Sequence, residues 1–206
     1  MNVYVHSMNK ISQKNIETEL KLLNEISRAK EHSQRSISKN LDVALGLANA
    51  IIKKFVKKGF LKLKQAPMKR YFYYLTPKGL VEKAKLTKEF LKSSLEFYTK
   101  ARKDYEELLK ILKNSKKKII FAGKSELTEI AILASKIQNV NIEFIYSPGI
   151  KEKNFCGLNV INNLNKKKLK KSNICFVLTE FSNSKDIYKE LKKNFDVYNP
   201  EFLIME

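Results

Sequence analysis

The most informative segment of the sequence, residues 33–59, reads SQRSISKNLDVALGLANAIIKKFVKKG. In its second part apolar residues recur at steps of three and four, which predicts a helix from about Ala44 to Lys58. The apolar stripe of this helix consists of Ala48, Ile51, Ile52, Phe55 and Val56. Gly59 is a typical helix terminator. Ser33 can cap a shorter helix in the first part, so the segment predicts two helices joined by a turn.

The neighbouring residues complete a recognisable order of elements. A helix is predicted upstream, from about Asn15 to Ala29. Downstream, residues 60–64 and 70–76 have the apolar and aromatic character of strands, with a hairpin tip between them. The order helix, short helix, turn, helix, hairpin is that of a winged helix-turn-helix, which we place at Ile16 to Thr76.

A long helix is predicted to follow the hairpin. Thr76 is a good N-cap and Pro77 suits the first helical position; the helix should run to about Lys113. Its later half carries a heptad seam, interrupted by Arg102, that consists of Leu91, Leu95, Tyr98, Tyr105, Leu109 and Leu112. We interpret this seam as a dimerisation surface. The alternative is that it packs on its own domain.

From residue 115 onward the pattern changes to alternating strands and helices. Strands are predicted at 118–122, 141–146 and 173–179, helices at 126–138 and 184–194, and a short last strand at 202–205. Such alternation predicts a parallel sheet. The predicted fold is therefore an α+β winged helix-turn-helix (1–76), a long dimerisation helix (77–114) and a small α/β Rossmann-like domain (115–206).

The net charge of +20 favours a polyanionic partner. Residues 1–114 hold 25 Lys and Arg against 11 Asp and Glu, whereas residues 115–206 hold 16 against 10. Most of the excess positive charge thus lies with the predicted winged helix. The alternative is genomic, because the chain is rich in Lys, Asn and Ile and has only 4 Arg. Charge alone therefore does not establish DNA binding.

Three stretches resemble the MarR-type winged helices, especially the group associated with exopolysaccharide gene clusters. They are SQRSISKNL at 33–41, LANAIIKKFVKKG at 47–59 and YLTPKGLVEKA at 74–84. The last is the most specific, because it joins the end of the wing to the cap of the next helix. The resemblance covers about Ile16 to Leu112 and implies a dimeric bacterial or archaeal regulator that binds double-stranded DNA.

The predicted contacts with DNA follow from the geometry of a helix-turn-helix, whose second helix enters the major groove. Gly46 and Ala50 are small enough for close approach, and the Asn49 amide could pair with adenine. The remaining candidates are charged or polar residues suited to the DNA backbone or the minor groove: Gln34, Arg35, Lys53, Lys54, Lys57, Lys69 and Arg70. The alternative for each is an ordinary solvated side chain.

The second half resembles, more weakly, Rossmann-like domains that are sometimes appended to such winged helices. Gly123 matches the first glycine of their Gly-x-Gly-x-x-Ala turn, but Ser125 and Thr128 replace the second glycine and the third small residue. One hypothesis is that a nucleotide, nucleotide-sugar or acyl-CoA effector binds at Gly123, Lys124, Ser125 and Thr128. The other is a ligand-free module for dimerisation or partner docking.

The sequence gives little support for catalysis, a metal or a cofactor. His6 and His32 lie near no paired carboxylate or cysteine, and Cys156 and Cys175 lack metal-ligand spacing, so buried thiols are expected. No apolar run reaches the length of a membrane span, and the start lacks the apolar core of a signal peptide, so a cytoplasmic location is expected. The alternative function is an RNA-binding or scaffold protein that uses the winged helix for docking.

Overall fold

The computed structural model describes residues 2–28, 34–66, 70–164 and 173–203. The chain forms two compact units, residues 1–95 and 96–206. The segment 77–114, which the sequence suggested as a domain of its own, is divided between them: residues 77–95 belong to the first unit and the rest to the second.

The first unit has the element order predicted for a winged helix. Its helices and strands are α1 (Asn2–Arg28), α2 (Gln34–Leu41), α3 (Leu45–Lys57), β1 (Leu61–Ala66) and β2 (Arg70–Leu75), followed by α4 (Pro77–Lys113). The strands form an antiparallel hairpin. Its tip, residues 67–69, lies outside the described residues.

The core of the first unit is assembled from the apolar stripes of its helices. The side chains that are almost completely buried include Leu22, Leu23, Ile37, Ile52, Phe55 and Leu61. The periodicity of α3 is realised as predicted, because Ala48, Ile51, Ile52 and Phe55 are all buried. A helix with one buried stripe presents its other side outward, and this fixes which residues of α3 are available to a partner.

The junction between the wing and α4 is a compact set of hydrogen bonds around Thr76. The hydroxyl of Thr76 donates to the carbonyl of Gly59 (2.7 Å) and accepts from the backbone N–H of Gly79 (3.0 Å). The Thr76 N–H donates to the carbonyl of Phe60 (3.0 Å). The predicted N-cap is thus confirmed, with Pro77 as the first helical residue. One side chain ties the end of α3, the start of the wing and α4 together.

The second unit is built around one largely parallel sheet. After α4 come β3 (Lys118–Ala122), α5 (Glu126–Ile137), β4 (Ile142–Tyr146), β5 (Asn154–Phe155), β6 (Leu158–Ile161), β7 (Ile174–Leu178), α6 (Ser184–Lys192) and β8 (Asp196–Tyr198). The strand order is β5-β6-β4-β3-β7-β8. All neighbours pair in parallel except β5 and β6, which form a short antiparallel hairpin.

Both faces of this sheet are covered. Along β3, Ile119 and Phe121 belong to one apolar cluster, whereas Ile120 and Ala122 belong to the other. This alternation follows from the two-residue period of a strand, and burial on both faces is typical of parallel sheets. β7 is correspondingly buried along its whole length.

Two features at the end of the chain differ from the prediction. A strand was predicted at 202–205, but Glu201–Leu203 form a 3-10 helix, and residues 204–206 lie outside the described residues. The Phe202 backbone N–H donates to Asp104 on α4 (3.0 Å) instead of joining the sheet. The last strand, β8, is a three-residue element that was too short to leave a periodic signal.

The heptad seam on α4 is divided between two environments, and the prediction is wrong for half of it. Tyr105, Leu109 and Leu112 are completely or almost completely buried in the core of the second unit. The Tyr105 hydroxyl donates to the carbonyl of Leu178 (2.9 Å), and burial raises the pKa of Tyr105 far above its usual range. These three residues pack within their own chain, so they are not part of a dimer surface.

The other seam residues remain on the surface. Leu91 is 54% exposed, Leu95 is 65% exposed and Tyr98 is 38% exposed. Arg102, which interrupts the seam, forms an ion pair with Glu106 one turn later. None of the described helices combines the length and apolar character that crossing a bilayer requires.

Candidate nucleic-acid interface

The outward side of α3 carries a line of residues that the core does not use. Gly46, Ala50, Lys53 and Lys57 are exposed and follow one another at steps of four, three and four, so they share one side of the helix. The first two are small and the last two are cationic. The predicted major-groove helix therefore presents a narrow surface with positive charge toward its C-terminal end.

Lys53 and Lys57 are the most available cations on this line. Both are exposed, and neither forms an ion pair or hydrogen bond with another described residue. Lysine binds phosphate as a flexible point charge. These two side chains are therefore available for the predicted contacts with phosphates, which stay predictions.

Lys54 is held differently. Its Nζ lies 2.5 Å from Oε1 of Glu19 on α1, and the Glu19 side chain is only 17% exposed. The ion pair fastens α3 to α1 and compensates the positive charge of Lys54. The predicted role of Lys54 in binding phosphate would compete with this contact, whereas Lys53 and Lys57 have no such competitor among the described residues.

Asn49 is placed less favourably than the sequence suggested. The residue is half-buried beside the exposed line. Its Oδ1 is buried and has no hydrogen-bond partner in the described part of the chain. Bidentate pairing with adenine needs this oxygen as the acceptor for the N6 amino group. The predicted contact therefore requires the Asn49 side chain to rotate outward.

Two exposed leucines at the start of α3 were missed as site residues. Leu45 is 42% exposed and Leu47 is 48% exposed. Leu47 lies outside the stripe formed by Ala48, Ile51 and Phe55, and that departure was the available signal in the sequence, whereas Leu45 precedes Ala48 by three residues and continues the stripe at its N-terminal end. Leu47 therefore places an exposed apolar side chain beside the outward line of α3.

The wing adds two lysines that were also missed. In the hairpin Lys62 pairs with Tyr74 and Lys64 with Phe72, and directly paired residues lie on the same face of a sheet. Lys62 and Lys64 are both exposed. Their alternation with Leu61 and Leu63 was the signal, although it was interpreted only as evidence for a strand. The wing thus carries positive charge on the face that turns away from the core.

Four predicted contacts cannot be placed in the interface. Lys69 lies outside the described residues, and the side chains of Gln34, Arg35 and Arg70 are likewise not described. Only their backbone positions are known, at the start of α2 for Gln34 and Arg35 and in β2 for Arg70. Their predicted roles at the DNA backbone and in the minor groove stay predictions.

The predicted ligand site in the second unit is largely occupied by its own side chains. Ser125 caps α5 and accepts from the Leu127 N–H, while the Thr128 hydroxyl accepts from the Ser125 N–H (3.0 Å). Ser125 Oγ also donates to the carbonyl of Thr179 after β7 (2.7 Å). The N–H groups that were expected to meet an anion are therefore partly used within the chain.

Gly123 and Lys124 are similarly engaged. Gly123 has a φ of +113°, and a Cβ at this position would overlap the Cβ of Glu180. A glycine is thus required here by its positive φ and by the close packing of Glu180. Lys124 forms an ion pair with Glu152 and lies 5.1 Å from the ring centroid of Phe155. Lys124 is therefore engaged within the described part of the chain and is not a free cation.

The two cysteines lie in different environments. Among the described residues, no three His, Cys, Asp or Glu side chains are grouped so that they could hold a metal ion. Cys175 is buried, and this burial raises its pKa to about 11. Cys156 is exposed in the turn between β5 and β6, contrary to the expectation of a buried thiol.

Three solved structures show limited similarity to this chain. The PcaV transcriptional regulator of Streptomyces coelicolor, solved with its natural ligand, is 14% identical with a TM-score of 0.38, over 48% of this chain and 79% of PcaV. MepR, a transcription regulator of the Staphylococcus aureus multidrug efflux pump MepA, is 13% identical with a TM-score of 0.36, over 48% of this chain and 83% of MepR. FabT of Streptococcus pneumoniae, solved in complex with DNA, is 23% identical with a TM-score of 0.34, over 67% of this chain and 90% of FabT. At this level of similarity no property of these proteins extends to this chain.

Comparison at the level of sequence families is more specific. No curated protein matches the chain significantly. A family model described as winged helix-turn-helix DNA-binding matches residues 17–62, which run from α1 through α3 to the start of β1. Element order, wing pairing and the family match agree, and the first unit therefore contains a winged helix-turn-helix that is similar over these residues to that DNA-binding family.

Proposed function

We propose that this protein is a transcriptional regulator of the MarR type that binds duplex DNA by inserting α3 into the major groove. The observation that carries the proposal is the outward line of α3, where Lys53 and Lys57 are exposed and unpaired among the described residues. Phosphate contacts supply most of the affinity of such proteins and make it depend strongly on salt. The wing lysines Lys62 and Lys64 would add contacts beside the groove.

The proposal includes a homodimer. Leu91, Leu95 and Tyr98 are apolar or aromatic and exposed on α4. Burying them against a second copy would remove apolar surface from water. Two copies related by a two-fold axis would match a palindromic site in DNA. The MarR-type group linked to exopolysaccharide genes remains the family that the motifs at 33–41, 47–59 and 74–84 resemble.

The proposed function is tested by comparing nucleic acids with the intact chain. Fluorescence anisotropy would measure affinity for duplex DNA, duplex RNA and single-stranded DNA of the same sequence over a series of salt concentrations. We expect clear preference for duplex DNA, because α3 can enter the major groove of B-form DNA but not the deep, narrow groove of A-form RNA. Equal affinity for all three would contradict the regulator and favour the RNA-binding or scaffold alternative.

For the second unit we propose a Rossmann-like domain that no longer binds a nucleotide and serves in docking or dimerisation. The strand order β6-β4-β3-β7-β8 supports the fold, because it is the order 3-2-1-4-5 of the dinucleotide-binding sheet. Loss of the ligand is supported by the hydrogen bonds of Ser125 and Thr128 with Thr179, at the place where that fold holds a pyrophosphate. The proposal assigns no catalytic activity to the chain.

A ligand screen tests this part of the proposal. A ligand that binds only the folded state raises thermal stability by mass action, by about 2.7 kcal/mol at a hundred times its Kd. We expect no shift of the melting temperature with nucleotides, nucleotide-sugars or acyl-CoA. The variant Lys124→Gln serves as a control for nonspecific binding of anions. A shift with one of these compounds that Lys124→Gln abolishes would restore the sensor hypothesis.

A further inference from the structure

The first turns of α3 present an apolar surface, which we call the reading face and define as Gly46, Leu47 and Ala50. All three residues are exposed, and Leu47 keeps 48% of its surface accessible. No atom lies within 4 Å of the position where a Cβ on Gly46 would be. The reading face has no side-chain hydrogen-bond donor or acceptor, and the Oδ1 of its polar neighbour Asn49 is buried.

The charges beside the reading face indicate what covers it. Lys53 follows Ala50 by one turn on the same side of α3, and Lys57 follows by another. An apolar patch bordered by free lysines complements a partner with an apolar floor and anionic edges. Duplex DNA has this arrangement, because the thymine C5-methyl is the apolar group in the major groove and phosphates line its edges.

We propose that α3 distinguishes sequences through thymine methyl groups, which Leu47 and Ala50 contact in the major groove. This inference rests on the proposed function and assigns its basis of specificity. In the free protein Leu47 is exposed to water, so a methyl group that packs against it removes apolar surface from water on both partners. Gly46 allows the helix to come close enough for this contact. The protein would then favour T-containing sites and discriminate against uracil at the same positions.

Replacement of single thymines by uracil tests the proposal, because it deletes the methyl group and leaves every hydrogen-bonding group of the base in place. A duplex would first be selected by the full-length protein from a random DNA pool. It would then be synthesised with uracil at one thymine position at a time, and affinity would be measured by fluorescence anisotropy. At one or more positions we expect about fourfold weaker binding, the effect of losing one buried methylene-sized group.

Two variants assign the effect to the reading face. Leu47→Ala should bind the thymine and uracil duplexes equally at the position that Leu47 contacts, whereas a position that Ala50 contacts should keep the difference. The matched control is Leu133→Ala, which removes a similarly exposed leucine from α5 in the other unit and should keep the fourfold difference. Because both leucines are exposed, both variants should melt at the temperature of the unmodified protein.

The outcomes separate the inference from the function on which it rests. A selected duplex that binds equally with thymine and uracil at every position overturns the methyl readout and leaves DNA binding intact. A difference that persists in Leu47→Ala at every position found with the unmodified protein overturns the assignment to Leu47. A random pool from which no duplex is enriched over single strands overturns the proposed function itself.

Discussion

Leu109→Ala is expected to lower the free energy of unfolding of the second unit by about 2–5 kcal/mol, the cost of a large cavity in a close-packed core. Leu109 on α4 is fully buried, in the same cluster as Tyr105 and Phe121. Its side chain is enclosed on all sides, so its removal leaves a space that the neighbours can fill only in part. Chemical denaturation followed by circular dichroism would measure the loss.

The control for this prediction lies on the same helix. Ile111→Ala shortens an apolar side chain of similar size that is 69% exposed and lies outside the proposed dimer surface, and substitutions of this kind usually change stability by less than about 0.5 kcal/mol. The decrease for Leu109→Ala should be the same at low and high protein concentration. Equally small losses for both variants would show that Leu109 is not packed as described, and a loss that appears only on dilution would place Leu109 in a subunit interface.

Gly79→Ala is expected to destabilise the winged helix by about 1–3 kcal/mol, the cost of forcing an extra methyl group into a packed site. In an ordinary helix the same change would stabilise by about 0.5–1 kcal/mol. Here the added Cβ would overlap the backbone carbonyl oxygen of Phe60, which also accepts from the Thr76 N–H. Backbone cannot move aside without breaking the junction between the wing and α4.

A second glycine in a helix of the same unit provides the matched comparison. Gly46 lies in the first turn of α3, and no atom lies within 4 Å of the position that an added Cβ would occupy, so Gly46→Ala should leave stability unchanged or raise it slightly. The two variants are thus expected to shift the melting temperature in opposite directions. A rise for Gly79→Ala would show that the junction around Phe60 and Thr76 is not packed as described.

The winged helix could be predicted because its signals are local. Gly59 and the pair Thr76-Pro77 mark chain positions by their own backbone and capping preferences. The stripe of α3 is determined by spacing along a single helix, and the observed bounds, Leu45–Lys57, lie within one residue of the predicted ends. The parallel sheet followed in the same way from the alternation of buried strands with helices.

The seam on α4 could not be assigned from sequence, because spacing does not specify the partner. Leu95 and Leu109 have the same residue type and the same heptad phase. One is exposed, whereas the other covers a face of the sheet formed by residues distant along the chain. A parallel sheet must have both faces covered. Which residues of α4 cover a face can be determined only once the strands have assembled into the sheet.

The candidate nucleic-acid interface likewise combines features that the sequence predicts with features that depend on tertiary packing. The lysines of α3 can be identified directly in its sequence. The ion pair between Lys54 and Glu19 cannot, because it joins residues 35 positions apart. The burial of Asn49 Oδ1 depends on how α3 is rotated against the core. The bounds of α3 and its row of lysines could therefore be predicted from the sequence, while the pairing and burial of the individual side chains depend on tertiary packing.

The central claim is that α3 binds duplex DNA through Lys53 and Lys57. Each phosphate contact contributes about 0.9 to the slope of log affinity against log salt concentration. Fluorescence anisotropy with one DNA duplex over a salt series would compare the unmodified chain with Lys53→Gln/Lys57→Gln. A second double variant, Lys136→Gln/Lys153→Gln, removes two exposed lysines from the other unit and the same net charge.

For the α3 variant we expect weaker binding to every duplex and a slope reduced by about 0.9 for each lost contact. The control variant should keep the slope of the unmodified protein, because its lysines belong to the second unit and not to the winged helix. Equal slopes of log affinity against log salt concentration for all three proteins would contradict the central claim, because Lys53 and Lys57 on the exposed face of α3 would then make no contact with phosphates.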